Sequence, residues 1–143
     1  MGNAPSDYGP RGTVTEMRPS QIRFTHDSIN GQFQDGHSLD ETLEQVLDGS
    51  IPISSMPPLV VMNYQENWYA VRGNRRLYLD KKLEANGKLQ HVKVLQKNFD
   101  EKLFNRQFTS RNMGQSVRLR GDLYLEHRID RIISEHSGWC AIL

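Results

Sequence analysis

Tyr69-Ala70-Val71-Arg72-Gly73-Asn74-Arg75-Arg76-Leu77-Tyr78 carries an extended run directly into a helical one, and the reading of the whole chain turns on that junction. Trp68 to Arg72 reads as a strand, which Gly73 and Asn74 break. Arg75 to Ala85 then reads as a helix ended by Asn86-Gly87. A helix N-terminus presents unpaired N–H groups and about half a positive charge, which normally draws Asp or Glu into the first turn. Arg75 and Arg76 stand there instead. Such crowding is unfavourable in isolation, and a phosphate would relieve it, because backbone donors and guanidinium forks would converge on one anion. Gly73, Asn74, Arg75 and Arg76 are therefore candidate ligand-binding residues. A structural reading competes: Arg76 pairs with Asp80 one helical turn on, and Arg75 points to water.

Upstream of the junction, Leu59-Val60-Val61-Met62 follows Pro57-Pro58 and reads as a buried strand, returning through a turn at Gln65-Glu66-Asn67 as a hairpin. Earlier still, Ile22 to Phe24 forms a short strand and Asp35-Gly36 a turn. Ser38 with Glu41 then makes a capping box that starts a helix, whose face is Leu39, Leu43, Val46 and Leu47 and whose end is Gly49. Downstream, His91 to Leu95 reads as a strand, Asn98 and Glu101 cap a short helix through Arg106, and Val117 to Leu119 is a candidate last strand. Asp122 caps a terminal helix to about Glu135, with Leu125, Ile129, Ile132 and Ile133 on one face. The order β, α, β-hairpin, α, β, α predicts an α+β fold, a small mixed sheet with helices packed on it. Residues 1–19 read as a flexible leader, 20–136 as the domain, and 137–143 as a tail.

At 143 residues the chain suits one domain that buries roughly two thirds of its unfolded surface. Eighteen basic against 17 acidic residues leave a net charge of +1, so no chain-wide field favours nucleic acid or membrane, and an anion site must be local. No apolar run nears the roughly 20 residues of a membrane span, and no signal peptide is evident, so the expectation is a soluble cytoplasmic domain. A single cysteine, Cys140, excludes an internal disulfide and a cysteine-rich zinc site.

Asp27 and Asp35, with His26 and His37 beside them, are candidate catalytic residues or metal ligands; the alternative is that they make turns. The five histidines show no zinc spacing, and neither a Walker-type nor a dinucleotide glycine motif occurs. Arg106, Arg111, Arg118 and Arg120, interleaved with Phe104 and Phe108, form either a nucleic-acid track or a solvated charged face. Trp68, Tyr69 and Phe24 read as core.

The order of capped helix, Pro57-Pro58 loop, Leu59-Val60-Val61, Tyr69-Ala70-Val71 and Gly73-Asn74-Arg75-Arg76 resembles the ParB/sulfiredoxin superfamily over residues 20–96. There the turn is written G-E-R-R or G-C-H-R and holds nucleotide phosphates. The phrases Ile22-Arg23-Phe24, Asp27-Ser28-Ile29, Asp35-Gly36 and Asn74-Arg75-Arg76-Leu77-Tyr78, and the ending Val117-Arg118-Leu119-Arg120-Gly121, are similar to those of ParB-like modules in bacterial polymorphic toxins. Arg120, in that ending, joins the four turn residues as a ligand-binding candidate. The resemblance implies a nucleotide ligand, ATP or CTP with magnesium, in a hydrolase or phosphotransferase. The alternatives are a non-catalytic lipid-anchored binding module and a nuclease-like nucleic-acid protein. Asn74 replaces the sulfiredoxin cysteine and the ParB glutamate, so sulfinic-acid repair has no nucleophile here.

The two ends carry lipidation patterns. Met1-Gly2-Asn3-Ala4-Pro5-Ser6 fits N-myristoylation at Gly2, and Cys140-Ala141-Ile142-Leu143 fits a prenylation box with a terminal leucine that points to geranylgeranyl. One chain binds membranes marginally and two anchor stably, so together they imply tethering to a membrane. The alternative is that Trp139, Ile142 and Leu143 dock on the core. If the box is used, Cys140→Ser moves the protein from membrane to cytosol in a eukaryotic cell; mass spectrometry finding an unmodified C-terminus in the parent would overturn this.

Overall fold

A computed structural model describes residues 12–136. Its strands are β1 (Thr13–Met17), β2 (Ile22–Phe24), β3 (Ser28–Asn30), β4 (Leu59–Tyr64), β5 (Asn67–Arg72), β6 (Val92–Lys97) and β7 (Arg118–Arg120). Its helices are α1 (Leu39–Leu47), α2 (Asn74–Ala85), α3 (Glu101–Gln107) and α4 (Leu125–Glu135), with 3-10 turns at Pro19–Gln21 and Ile53–Ser55. The fold is α+β: five strands form a mixed sheet in the order β1-β6-β4-β5-β2, and β3 and β7 form a small second sheet.

The β4–β5 hairpin is the centre of the large sheet. Gln65 and Glu66 both adopt positive φ, 51° and 71°, as a two-residue turn matched to strand twist requires. β6 runs parallel to β4 on one side and β2 parallel to β5 on the other. Alternate residues then face opposite layers. Val61 and Ala70 meet the apolar faces of α1, α2 and α4, through Leu43, Leu77, Leu83 and Ile129. Val60, Met62, Tyr69 and Val71 face α3, where Phe104 stacks on Tyr64 at 4.6 Å and on Phe108 at 5.1 Å between ring centres.

The α1 start matches the sequence reading in detail. Ser38 N–H donates to Glu41 Oε1 at 2.9 Å and Ser38 Oγ accepts from Glu41 N–H at 3.4 Å. α3 starts two residues after the expected cap at Asn98: Asp100, not Asn98 or Glu101, accepts from Leu103 N–H. At α4 the N-cap position is Tyr124, and Asp122 accepts from its N–H at 2.8 Å.

The leader expected over residues 1–19 extends too far. Thr13–Met17 pairs antiparallel with β6, from Thr13 opposite Gln96 to Met17 opposite Val92. Only Met17 of these five is buried, so this edge strand carries no apolar alternation to betray it. β3 is similarly silent in sequence, because its pairing with β7 joins segments some ninety positions apart.

Replacing Ser38 by Ala removes the acceptor for an unpaired N–H and is expected to lower stability by ~1 kcal/mol. An unchanged urea midpoint would show that this cap contributes nothing.

Candidate anion-binding cleft

β5 passes into α2 through one residue. Gly73 sits at φ 92°, in the left-handed region, and a Cβ there would lie 2.8 Å from both Pro58 O and Leu59 Cδ2. Glycine is therefore required twice, for backbone conformation and for space. It also brings no side-chain cap, and the first turn of α2 holds no acid. The N–H groups of that turn have no partner within the helix.

Asn74 is buried, and its amide is used for construction. Its Oδ1 accepts from the N–H of Thr25 at 3.0 Å and of His26 at 3.4 Å, while its Nδ2 donates to Thr25 Oγ1 and Ala70 O. These bonds tie the chain between β2 and β3 to the helix start. They bring His26 to the cleft, where its Nε2 lies 2.9 Å from Gln107 Oε1.

The result is a cleft of about 530 Å³ lined by all five ligand-binding candidates, Gly73, Asn74, Arg75, Arg76 and Arg120. Arg120 arrives from the far end of the chain, because β7 sets it opposite Asn30 in the small sheet. Arg75 is half-buried rather than in water: it donates to Gln32 O at 2.9 Å and its guanidinium lies 5.9 Å from the centre of the Phe33 ring. Partial burial, and then the charge of Arg120, hold the Arg75 guanidinium below its ordinary pKa. No carboxylate lines the cleft among the described residues. Four arginines, Arg72, Arg75, Arg76 and Arg120, thus line one concavity with an uncapped helix start, and its described lining holds no carboxylate.

Arg76 has a second allegiance. Its Nε donates to Asp80 Oδ2 at 3.1 Å and its Nη1 to Pro57 O at 3.2 Å, with both members of the ion pair buried. The structural reading of Arg76 is thus present together with its place in the cleft wall. Burial pushes the Asp80 carboxyl from 3.8 up to about 6, against the pull of Arg76. Stability that this carboxyl lends to the fold is full below pH 3.8, falls as pH climbs, and is lost above about 6.

Asp27 and Asp35 are not in the cleft lining. Asp27 accepts from Arg118 Nη2 at 2.9 Å, with Arg111 4.0 Å away, and the Arg118 hydrogen bond holds its pKa below the usual carboxyl value. Asp35 accepts from His37 N–H at 2.9 Å, a turn bond that likewise lowers its pKa. Both are therefore weaker proton acceptors than a free carboxylate. Phe33 and Gln107 join the cleft without any sequence signal, and His26, singled out in the sequence beside Asp27, lines it while Asp27 does not. Among the described residues no three His, Cys, Asp or Glu side chains gather to hold a metal. Gly2 and Cys140 lie outside the described residues. No helix among the described residues is long and apolar enough to cross a membrane.

No protein-family model matches the chain, and no curated protein matches its sequence.

Arg76→Ala would leave Asp80 buried without its partner and is expected to lower stability by about 3–5 kcal/mol, against less than about 1 kcal/mol for Arg75→Ala. Equal urea midpoints for the two variants would show that the buried pair does not hold α2 in place.

Proposed function

We propose that this chain is a phosphate-ligand binding domain of the ParB/sulfiredoxin type, holding a small molecule by its phosphate groups at the start of α2. The observation that carries this reading is the convergence of Arg75 and Arg120 on an uncapped helix N-terminus, in a cleft whose described lining has no carboxylate. An anion of two or more oxygens would accept from the backbone N–H groups and from both guanidinium forks at once.

ATP and CTP are the first ligands to try, since both present a chain of phosphates. The described lining of the cleft offers magnesium no anionic ligand, so those residues do not fit a metal site of the protein's own. A divalent ion would enter on the phosphates of the ligand and its own waters. Binding without turnover is the reading favoured over a hydrolase or phosphotransferase, because Asp27 and Asp35 stand outside the cleft and are engaged elsewhere. A nucleic-acid track is less well supported, because Arg118 is paired with Asp27 and Arg111 stands near it, rather than both lining an open groove. Tethering to a membrane through Gly2 and Cys140 is a separate proposal with its own test.

Calorimetric titration with inorganic pyrophosphate, ATP and CTP, with and without magnesium, tests the cleft. Each charge-assisted fork is worth about 1.5–3 kcal/mol, so Arg75→Ala and Arg120→Ala are each expected to weaken binding roughly tenfold or more. Equal affinity in the parent and the double variant would end this reading.

A further inference from the structure

A second cavity, about 580 Å³, shares Arg76 with the first, since that residue lines both. Pro57 lines the cleft and Pro58 the second cavity, so a step of one residue divides them, and Arg76 Nη1 is hydrogen-bonded to Pro57 O at that divide. The walls of the second cavity are chiefly Val14, Ile53, Met56, Leu59, Val92 and Leu95, from β1, the 3-10 turn, β4 and β6. Its character is opposite to that of the cleft.

Each cavity alone is within the range of about 300–1,000 Å³ that holds a small ligand, so the pair is larger than a phosphate group needs. A nucleobase carries ring donors and acceptors that lose water on entry and need convergent polar partners. The groove supplies few: Glu16, Ser54, His91 and Lys93 are the polar side chains beside Arg76. An apolar chain needs none. At the divide the charge of Arg76 is paired with buried Asp80, and on the groove wall the opposite charges of Glu16 and Lys93 stand across from one another on β1 and β6.

The geometry points to an amphiphilic phosphate ester as the ligand, its phosphate in the arginine cleft and its alkyl or isoprenyl chain in the groove between β1, β6 and the Ile53–Ser55 turn. This rests on the phosphate reading of the cleft. The cleft fixes the head and the groove sets the preference for the organic part.

The test is a titration series of inorganic phosphate and butyl, hexyl and octyl phosphate, each below its micelle concentration, beside ATP and CTP. The parent is expected to gain up to about fourfold in affinity per methylene while the chain enters the groove. Val14→Glu places a carboxylate on the groove wall at a position 69% exposed, where folding tolerates it. That variant should lose the chain-length gain and keep the parent's affinity for inorganic phosphate. Ile53→Glu, checked by a melt for folding, should do the same. A flat series in the parent, an equal gain in the variants, or a nucleotide bound more tightly than octyl phosphate would overturn the groove assignment while leaving the cleft intact. If inorganic phosphate and every ester fail to bind, the cleft reading falls and this inference falls with it.

Discussion

The absence of a loop between β5 and α2 is the constraint on which the rest of this molecule depends. Here the strand passes into the helix within one residue at a positive φ and with no room for a Cβ beside Pro58 and Leu59, two conditions that Gly73 meets. The abrupt turn leaves the first N–H groups of α2 open at the end of a central strand. It also places Asn74 so that its buried amide ties Thr25 and His26 to the helix start. The cleft is therefore not an ornament on a finished fold. Its floor is the junction itself, and its walls are segments held to that junction by hydrogen bonds.

A fold gains little from burying Arg76 and Asp80 on energetic grounds alone, because desolvation of both groups offsets their attraction. The raised pKa of Asp80 and its unpartnered Oδ1 are two marks of that cost. The pair does, however, fix one long side chain in one place. Asp80 holds the guanidinium from within α2, and Pro57 O holds it from the loop before β4. Arg76 is thereby a rigid divider between a charged cleft and an apolar groove, whereas Arg75, with one hydrogen bond to Gln32 O and a distant ring contact, is the more adjustable cation.

What the sequence disclosed followed how local each feature was. The α1 capping box, the hairpin, the amphipathic faces of α1 and α4 and the glycine-arginine turn are all set by neighbours within a few positions, and all are present as read. β1 and β3 were invisible because their partners, β6 and β7, lie roughly eighty and ninety positions away and because one edge of each pair faces solvent. The cleft divides the same way. Its turn residues could be found by inspection, and His26 was marked by its place beside Asp27, but Phe33 and Gln107 enter only through folding. Asp27 and Asp35 show how tertiary partners add to a local signal: acidic residues near glycine and serine invite a chemical reading, and in the fold the backbone N–H of His37 engages Asp35 and the guanidinium of Arg118 engages Asp27.

The ambiguity over Arg76 has the same root. From sequence, spacing to Asp80 and position in the first helical turn were rival explanations, because a residue on an exposed helix serves one neighbour at a time. Burial removes the rivalry. A guanidinium has five donors in a plane, and the two used by Asp80 and Pro57 leave others for the cavity side. How far each arginine of the cleft is engaged by the protein therefore follows its depth. Arg76, nearly enclosed, is held by the protein, whereas Arg120 lines the same cleft from the surface.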